Sequence, residues 1–394
     1  METLVNRFWK SAPKAALLLS LAAGSALQSC NKTGAGEGGG AAAGLDADAA
    51  SKVYVAPGKH DELYSFLSGG FNGQVSVYGI PSGRLLKIIP VFSQFPENGY
   101  GYNEETKAML QTSHGFIPWD DLHHPKLSRK DGMTDGRWLF VNGNNTPRVA
   151  RVDLTTFETV EIMEIPNSAG NHCSPYPTNN NEYVLAGTRF SVPLDMKGGT
   201  ADVSMEDYKD KFRGSISFIK VDQEKGDMEL DFQVLVPGFD YDLANGGKGP
   251  SNDWVFFTTY NTEKAGTLKE LGASQNDRDY LAAINWKLAA KYAAEGKAKE
   301  MPANYYHNKL DHGTHSAKST IKKKVRYLLP EDCPGMMYLL PAPKSPHGID
   351  VDPTGEFMVV NGKLASTLPV FSFSKMMKAI ENKQFDGEKT AFQC

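Results

Sequence analysis

The run Trp138-Leu139-Phe140-Val141-Asn142-Gly143 is followed by Val149–Leu154 (VARVDL) and Val160–Pro166 (VEIMEIP). Each piece is short, rich in β-branched and aromatic residues, and bounded by Asn, Gly or Pro, the pattern of antiparallel strands joined by turns. Working outward, the same triplet recurs. Tyr64–Gly69, Val75–Tyr78 and Leu85–Phe92 precede it; Tyr183–Gly187, Ser215–Val221 and Phe232–Pro237 follow. Further units start at Trp254 (WVFFTTY) and Phe357 (FMVVNG), the last continuing into Leu368–Phe373. Repeated small strand modules are the signature of an all-β propeller. A sandwich is the second choice, because it too gives evenly spaced short strands.

About five blades are expected. Their starts, at positions 64, 138, 183, 254 and 357, are uneven, so insertions must separate some of them. Ala283–Lys299 is dense in helix formers and is expected to be a helical insertion. The unit at Phe357 shows no third strand before SKMMKAIENKQ (Ser374–Gln384), which reads as helix, so the chain is expected to stop inside the ring.

Composition agrees with a folded β protein. The 394 residues are 40% hydrophobic and 22% charged, which excludes wholesale disorder. A net charge of −4 gives no electrostatic case for nucleic-acid binding. The amino terminus has an export pattern over residues 1–30: Arg7, Lys10 and Lys14, then an apolar stretch from Ala15 to Leu27 too short to span a bilayer. Leu27-Gln28-Ser29-Cys30 resembles a bacterial lipobox, with Cys30 the expected lipidation site; Gln28 departs from the usual small residue, and simple secretion is the alternative. Residues 31–51, rich in Gly and Ala, read as a flexible tether to a membrane surface, and residues 52–394 as the folded part. Cys173, Cys333 and Cys394 form no C-x-x-C pair, so no disulfide framework is expected, although one Cys173–Cys333 bridge is permitted.

The nine histidines are more telling in placement than in number. His123 and His124 lie in DDLHHP (Asp120–Pro125), His172 in GNHCSP (Gly170–Pro175) and His347 in KSPHG (Lys344–Gly348), all turn contexts rich in Pro, Gly and Asn. Loops on a rigid β scaffold are where ligands converge, and neutral imidazole is a good ligand for copper or zinc. On a regular strand His123 and His124 would point to opposite faces. To share one metal they must leave the pleat, and Pro125 favours that. Asp120 and Asp121 are candidates for orienting the imidazoles. His307, His312 and His315, in YYHNKLDHGTHSAKST, are read as an exposed polar loop rather than a zinc site, and His60 and His114 are given ordinary roles. The lysines Lys322–Lys324 with Arg326 could dock an electron donor, but a solvated loop is the preferred reading.

Four strings, DDLHHPKLSRKDG (Asp120–Gly132), GRWLFVNGNNTPRVARVDL (Gly136–Leu154), GNHCSPYP (Gly170–Pro177) and KSPHGIDVDPTGEFMVVNGKL (Lys344–Leu364), resemble nitrous-oxide reductase, in the subgroup carrying a Sec-type signal. The resemblance runs from about Leu63 to about Ile380. It implies a periplasmic enzyme of denitrification that reduces N2O to N2 and water on a seven-bladed propeller. A tetranuclear copper-sulfide centre would be held by seven histidines, with a C-terminal cupredoxin domain and its binuclear copper centre feeding electrons. His123, His124, His172 and His347 match the first four ligands; the motifs for the other three have no counterpart. The resemblance further implies calcium at Tyr260, Glu263 and Asp277, with Ser345 standing where an asparagine is usual. It implies a c-type cytochrome or similar donor and a head-to-tail homodimer. On this reading the chain is a portion of the enzyme, inactive alone. The rival is a non-catalytic β-propeller lipoprotein binding a protein partner. A propeller hydrolase ranks last, for want of a G-x-S-x-G nucleophile motif.

Overall fold

The computed structural model describes residues 47–93, 103–173, 175–194, 204, 211–237, 240–261, 279–311, 314–342, 345–363, 365–385, 388–389 and 392–393. The chain divides into two units, Met1–Tyr54 and Val55–Cys394. In the first, the described residues include one short helix, α1 (Ala47–Val53), which runs across the expected boundary between tether and folded part at residues 51 and 52.

The second unit is a series of antiparallel blades. Blade I is β1 (Leu63–Ser68), β2 (Gln74–Ile80) and β3 (Leu85–Pro90). Blade II is β4 (Leu122–Lys130), β5 (Met133–Gly143), β6 (Arg148–Asp153) and β7 (Glu158–Glu164). Blade III is β8 (Tyr176–Pro177), β9 (Tyr183–Gly187), β10 (Phe212–Val221) and β11 (Met228–Pro237). Blade IV opens with β12 (Asp240–Gly246), β13 (Trp254–Asn261) and β14 (Tyr280–Asn285). Its fourth strand arrives only after helix α2 (Trp286–Ala294) and a long hairpin, β15 (Lys299–Asp311) and β16 (Ser316–Leu328), as β17 (Met337–Pro341). Blade V is β18 (Pro346–Val351), β19 (Phe357–Gly362) and β20 (Val370–Ser372), followed by helix α3 (Phe373–Glu381).

The expected five blades are present, and the founding run shows why Trp138–Val141 is apolar at four consecutive positions. Trp138 and Phe140 join the core between blades II and III, while Leu139 and Val141 join the core between blades I and II. Blade IV repeats the device: Val255 and Phe257 face blade III, Trp254 and Phe256 face blade V. A middle sheet of a stack is buried on both faces, so hydrophobic alternation disappears. Among the described residues no helix is long and apolar enough to cross a membrane.

Three expectations need correction. The last blade does have a third strand, and it lies upstream of Phe357, in the histidine motif of β18, where a pleat holding Pro, His and Gly carries little strand signal. The helix begins at Trp286, because Ala283–Asn285 complete β14 and Asn285 caps the helix through Leu288 N at 2.9 Å. The segment holding His307 and Lys322–Lys324 is no loop but the β15–β16 hairpin, which joins the outer strands of blades II and III into one sheet, pairing with β7 on one side and β11 on the other. His307 is accordingly buried, at 8% exposure, with Nε2 2.6 Å from Glu161; His315 and His114 are exposed. Cys173 and Cys333 are buried free thiols, so the permitted bridge is not formed.

Candidate metal centre

The histidine motifs sit where strands break their pleat. Between His123 and Lys126 the register of β4 against β5 slips by one residue, and His124 has φ 40°. This β-bulge turns both side chains of the His-His pair toward one place. A matching slip separates Pro346 from Ile349 in β18, so His347 also sits on a bulge, just after Ser345 at φ 51°. His172 lies on the connection leaving blade II.

The asparagines of two x-Asn-Gly strand endings hold histidine segments, Asn142 the His172 loop and Asn361 the His347 bulge. Asn142, fully buried, donates through Nδ2 to the carbonyls of Asn171 and His172. Asn361 accepts from Gly348 N at 2.6 Å through Oδ1. The glycine beside Asn142 is required: a Cβ on Gly143 would fall 2.3 Å from Asp120 Oδ2 and 2.8 Å from the Thr146 carbonyl.

The four imidazoles converge. Ring centroids lie 5.3 Å apart for His123–His124, 5.0 Å for His123–His172, 4.8 Å for His124–His172, 6.2 Å for His124–His347 and 6.0 Å for His172–His347. Ligand nitrogens of His123, His124 and His172 all fall within 4.8 Å of one another. Nε2 of His124 faces Nε2 of His172 at 3.4 Å. Burial, and then the imidazoles of His172, His123 and His347, push the His124 pKa down to about 3; burial also lowers that of His123, against the pull of the Asp121 carboxylate. Two ring nitrogens this close share one proton or a cation between them, and the donor set suits a borderline or soft metal.

Two carboxylates orient the rings. Asp121 Oδ2 sits 2.9 Å from His123 Nε2 and accepts from Asn144 Nδ2 at 2.9 Å. Asp242, on β12 of blade IV, bonds His347 Nδ1 at 2.7 Å and lies 2.6 Å from His172 Nδ1, an ion-pair distance off the line of a hydrogen bond. The Asp contacts leave Nδ1 of His123 and Nε2 of His172 and His347 as the lone pairs offered to a ligand. Asp242 was not anticipated; its one sequence signal is a pair of aspartates at alternate positions of a strand-like segment, Asp240 and Asp242. Asp120 does not orient a histidine. Its carboxylate accepts from Asn145 N and Thr146 N, each at 3.0 Å, and from Arg148 at 3.2 Å, holding the turn after β5. A hollow of about 850 Å³ lined by Phe71, Phe190 and Arg189 opens onto His123 and His172.

Of the expected calcium positions, Tyr260 lies on β13 with its side chain outside the described residues, and Glu263 and Asp277 lie outside them altogether, as does Cys30. Ser345, at the position where the resemblance has an asparagine as the usual residue, donates its backbone N–H to Asp279 at 2.9 Å.

The class is therefore defined: a β-propeller whose blades and connecting loop assemble a four-histidine pocket fit for a metal. The chain is 32% identical over 334 residues to nitrous-oxide reductase of Pseudomonas fluorescens, covering 84% of this chain and 47% of that protein. It is 30% identical over 342 residues to that of Stutzerimonas stutzeri, covering 85% of this chain and 48% of the relative. By sequence the chain is a homologue of nitrous-oxide reductase, and it spans about half the length of the curated relatives it matches. No protein-family model matches it. Among solved structures, Kuenenia stuttgartiensis hydrazine synthase superposes with a TM-score of 0.44 at 12% identity, over 81% of this chain and 64% of that one, too loosely to bear on function.

Proposed function

We propose that this chain supplies His123, His124, His172 and His347 as ligands to a copper centre that serves the reduction of nitrous oxide, N2O + 2H+ + 2e− → N2 + H2O. The observation that carries the reading is the convergence of these four imidazoles, drawn from blade II, its exit loop and blade V, at centroid spacings of 4.8 to 6.2 Å. Copper in imidazole and sulfide coordination supplies soft, electron-rich ions able to reduce an inert, poorly coordinating gas. The chain's own residues present the donor atoms and fix their tautomers: Asp121 acts on His123, and Asp242 on His172 and His347. The blades hold His123, His124 and His347 on strand bulges, and Asn142 holds the His172 loop through its Nδ2, so the donors are brought together by the fold.

The homologues named above support the same reading. With it come further proposals: export to the periplasm, a lipid on Cys30, calcium bound through Tyr260, Glu263 and Asp277, and a c-type cytochrome or similar electron donor. The test is copper reconstitution of the purified chain. Bound copper counted by elemental analysis should fall sharply in His124→Ala and His172→Ala, and nitrogen hyperfine coupling in the Cu(II) spectrum should lose imidazole contributions. Copper retained undiminished in both variants would overturn the assignment and favour the non-catalytic propeller.

A further inference from the structure

The β15–β16 hairpin leaves one strand edge open. β16 pairs with β15 along its length, from Ser316 to Tyr327. On its other side it meets β11, in parallel, at two positions, Gln233↔Tyr327 and Val234↔Leu328. Arg326 marks the fork: its Nε donates to the Asp231 carbonyl at 3.1 Å and its guanidinium pairs with the Asp231 carboxylate. Beyond it, toward Lys318, the strands part, and among the described residues no backbone hydrogen bond reaches the outer edge of β16. The gap holds two adjoining hollows of about 580 and 670 Å³, which share Glu229, His307 and Lys322.

The walls of this cleft carry surplus positive charge. Lys318, Lys322 and Lys323 of β16 and Lys220 of β10 have no ion-pair partner among the described residues. The facing carboxylates are largely committed. Asp227 is taken by Lys309 at 3.0 Å and Arg151 at 3.4 Å, and Asp222 accepts from Glu224 N and Lys225 N in its own turn. Among the described residues Glu229 and Asp222 have no ion-pair partner, against four such lysines. An unpaired strand edge is a template for another extended chain, and lysines along it repel basic and apolar edges while admitting acidic ones.

We propose that the free edge of β16, Lys318–Val325, is a docking site for an extended acidic segment of a partner protein, which adds to the sheet as a further strand with its carboxylates on Lys318, Lys322, Lys323 and Lys220. Main-chain pairing supplies the binding, and the lysines select the sequence.

A fluorescent peptide of glutamates interspersed with valines, titrated with the full chain at physiological ionic strength, tests this. The peptide should bind, and the triple variant K318E/K322E/K323E should bind it about tenfold more weakly, with an unfolding curve matching the parent. A peptide of identical charge, N-methylated at alternate residues, lacks the donors that pair with a strand and should not bind. Equal binding of the methylated peptide would reduce the interaction to charge alone and overturn the proposal, as would unchanged binding by the triple variant or no binding by the parent.

Discussion

Asp242 holds two of the four imidazoles with one carboxylate, at 2.7 Å from His347 and 2.6 Å from His172, and Lys363 approaches it at 3.1 Å. Burial works against its ionisation, yet the two imidazoles in contact with its carboxylate hold its pKa well below the usual carboxylate range. Asp242→Asn keeps the shape and removes the charge that fixes both rings. Copper affinity should drop by about 10- to 100-fold while the denaturation midpoint stays near the parent value; a comparable loss in both would assign Asp242 to the fold instead. The imidazoles themselves were legible, since Pro, Gly and Asn around each histidine announce a break in the pleat. Their partner was not: Asp242 lies 105 residues from His347, and pattern within a segment says nothing about contacts at that range.

At the scale of elements, the hairpin bridging blades II and III turns on a single buried group. The Glu161 carboxylate on β7, with no exposed surface, accepts from Met228 N of β11 at 3.0 Å, Arg151 Nε at 3.0 Å and His307 Nε2 of β15 at 2.6 Å. It thus ties three strands of different origin. Burial raises its pKa, but hydrogen bonding from His307 and the charges of Arg151 and Lys309 outweigh this, and the net shift is downward. Glu161→Gln leaves the buried Arg151 with only the half-exposed Asp227 carboxylate, 3.4 Å away, as countercharge, and should cost about 3 kcal/mol, read from urea unfolding at neutral pH. A folded-state pKa below the unfolded value places this stabilisation above the ordinary carboxylate range, and it is lost as pH falls through the depressed value. The gap between variant and parent should therefore narrow below about pH 4.5; a constant gap would mean the ion pair is not its source. The hairpin itself was misread because KSTIKKKVR shows neither apolar alternation nor a continuous apolar run. Among the described residues its outer edge is unpaired from Lys318 to Val325, and lysines fill that stretch, so the usual strand signal never forms.

At the scale of the molecule, the metal pocket is also a joint. Its ligands come from blade II (His123, His124), the loop beyond it (His172) and blade V (His347), and the aspartate behind two of them from blade IV. The blades were readable because each repeats short apolar strands, and their stacking follows from strands apolar on both faces. The closeness of blades II and V at the histidines follows from the curvature of the stack, which no single repeat encodes. A metal bound there stabilises the folded chain by linkage, about 2.7 kcal/mol when free metal is a hundredfold above its Kd. It does so by holding together blades that are far apart in sequence. Adding Cu(I) should therefore raise the melting midpoint of the chain in scanning calorimetry, and chelation should reverse the rise. His347→Ala should lose much of the effect although it leaves the three ligands nearest blade II intact, because it cuts the only imidazole tie to blade V among the described residues. A full copper-dependent rise in that variant would show that the metal sits on blade II and its loop alone, and that the propeller is not braced through its centre.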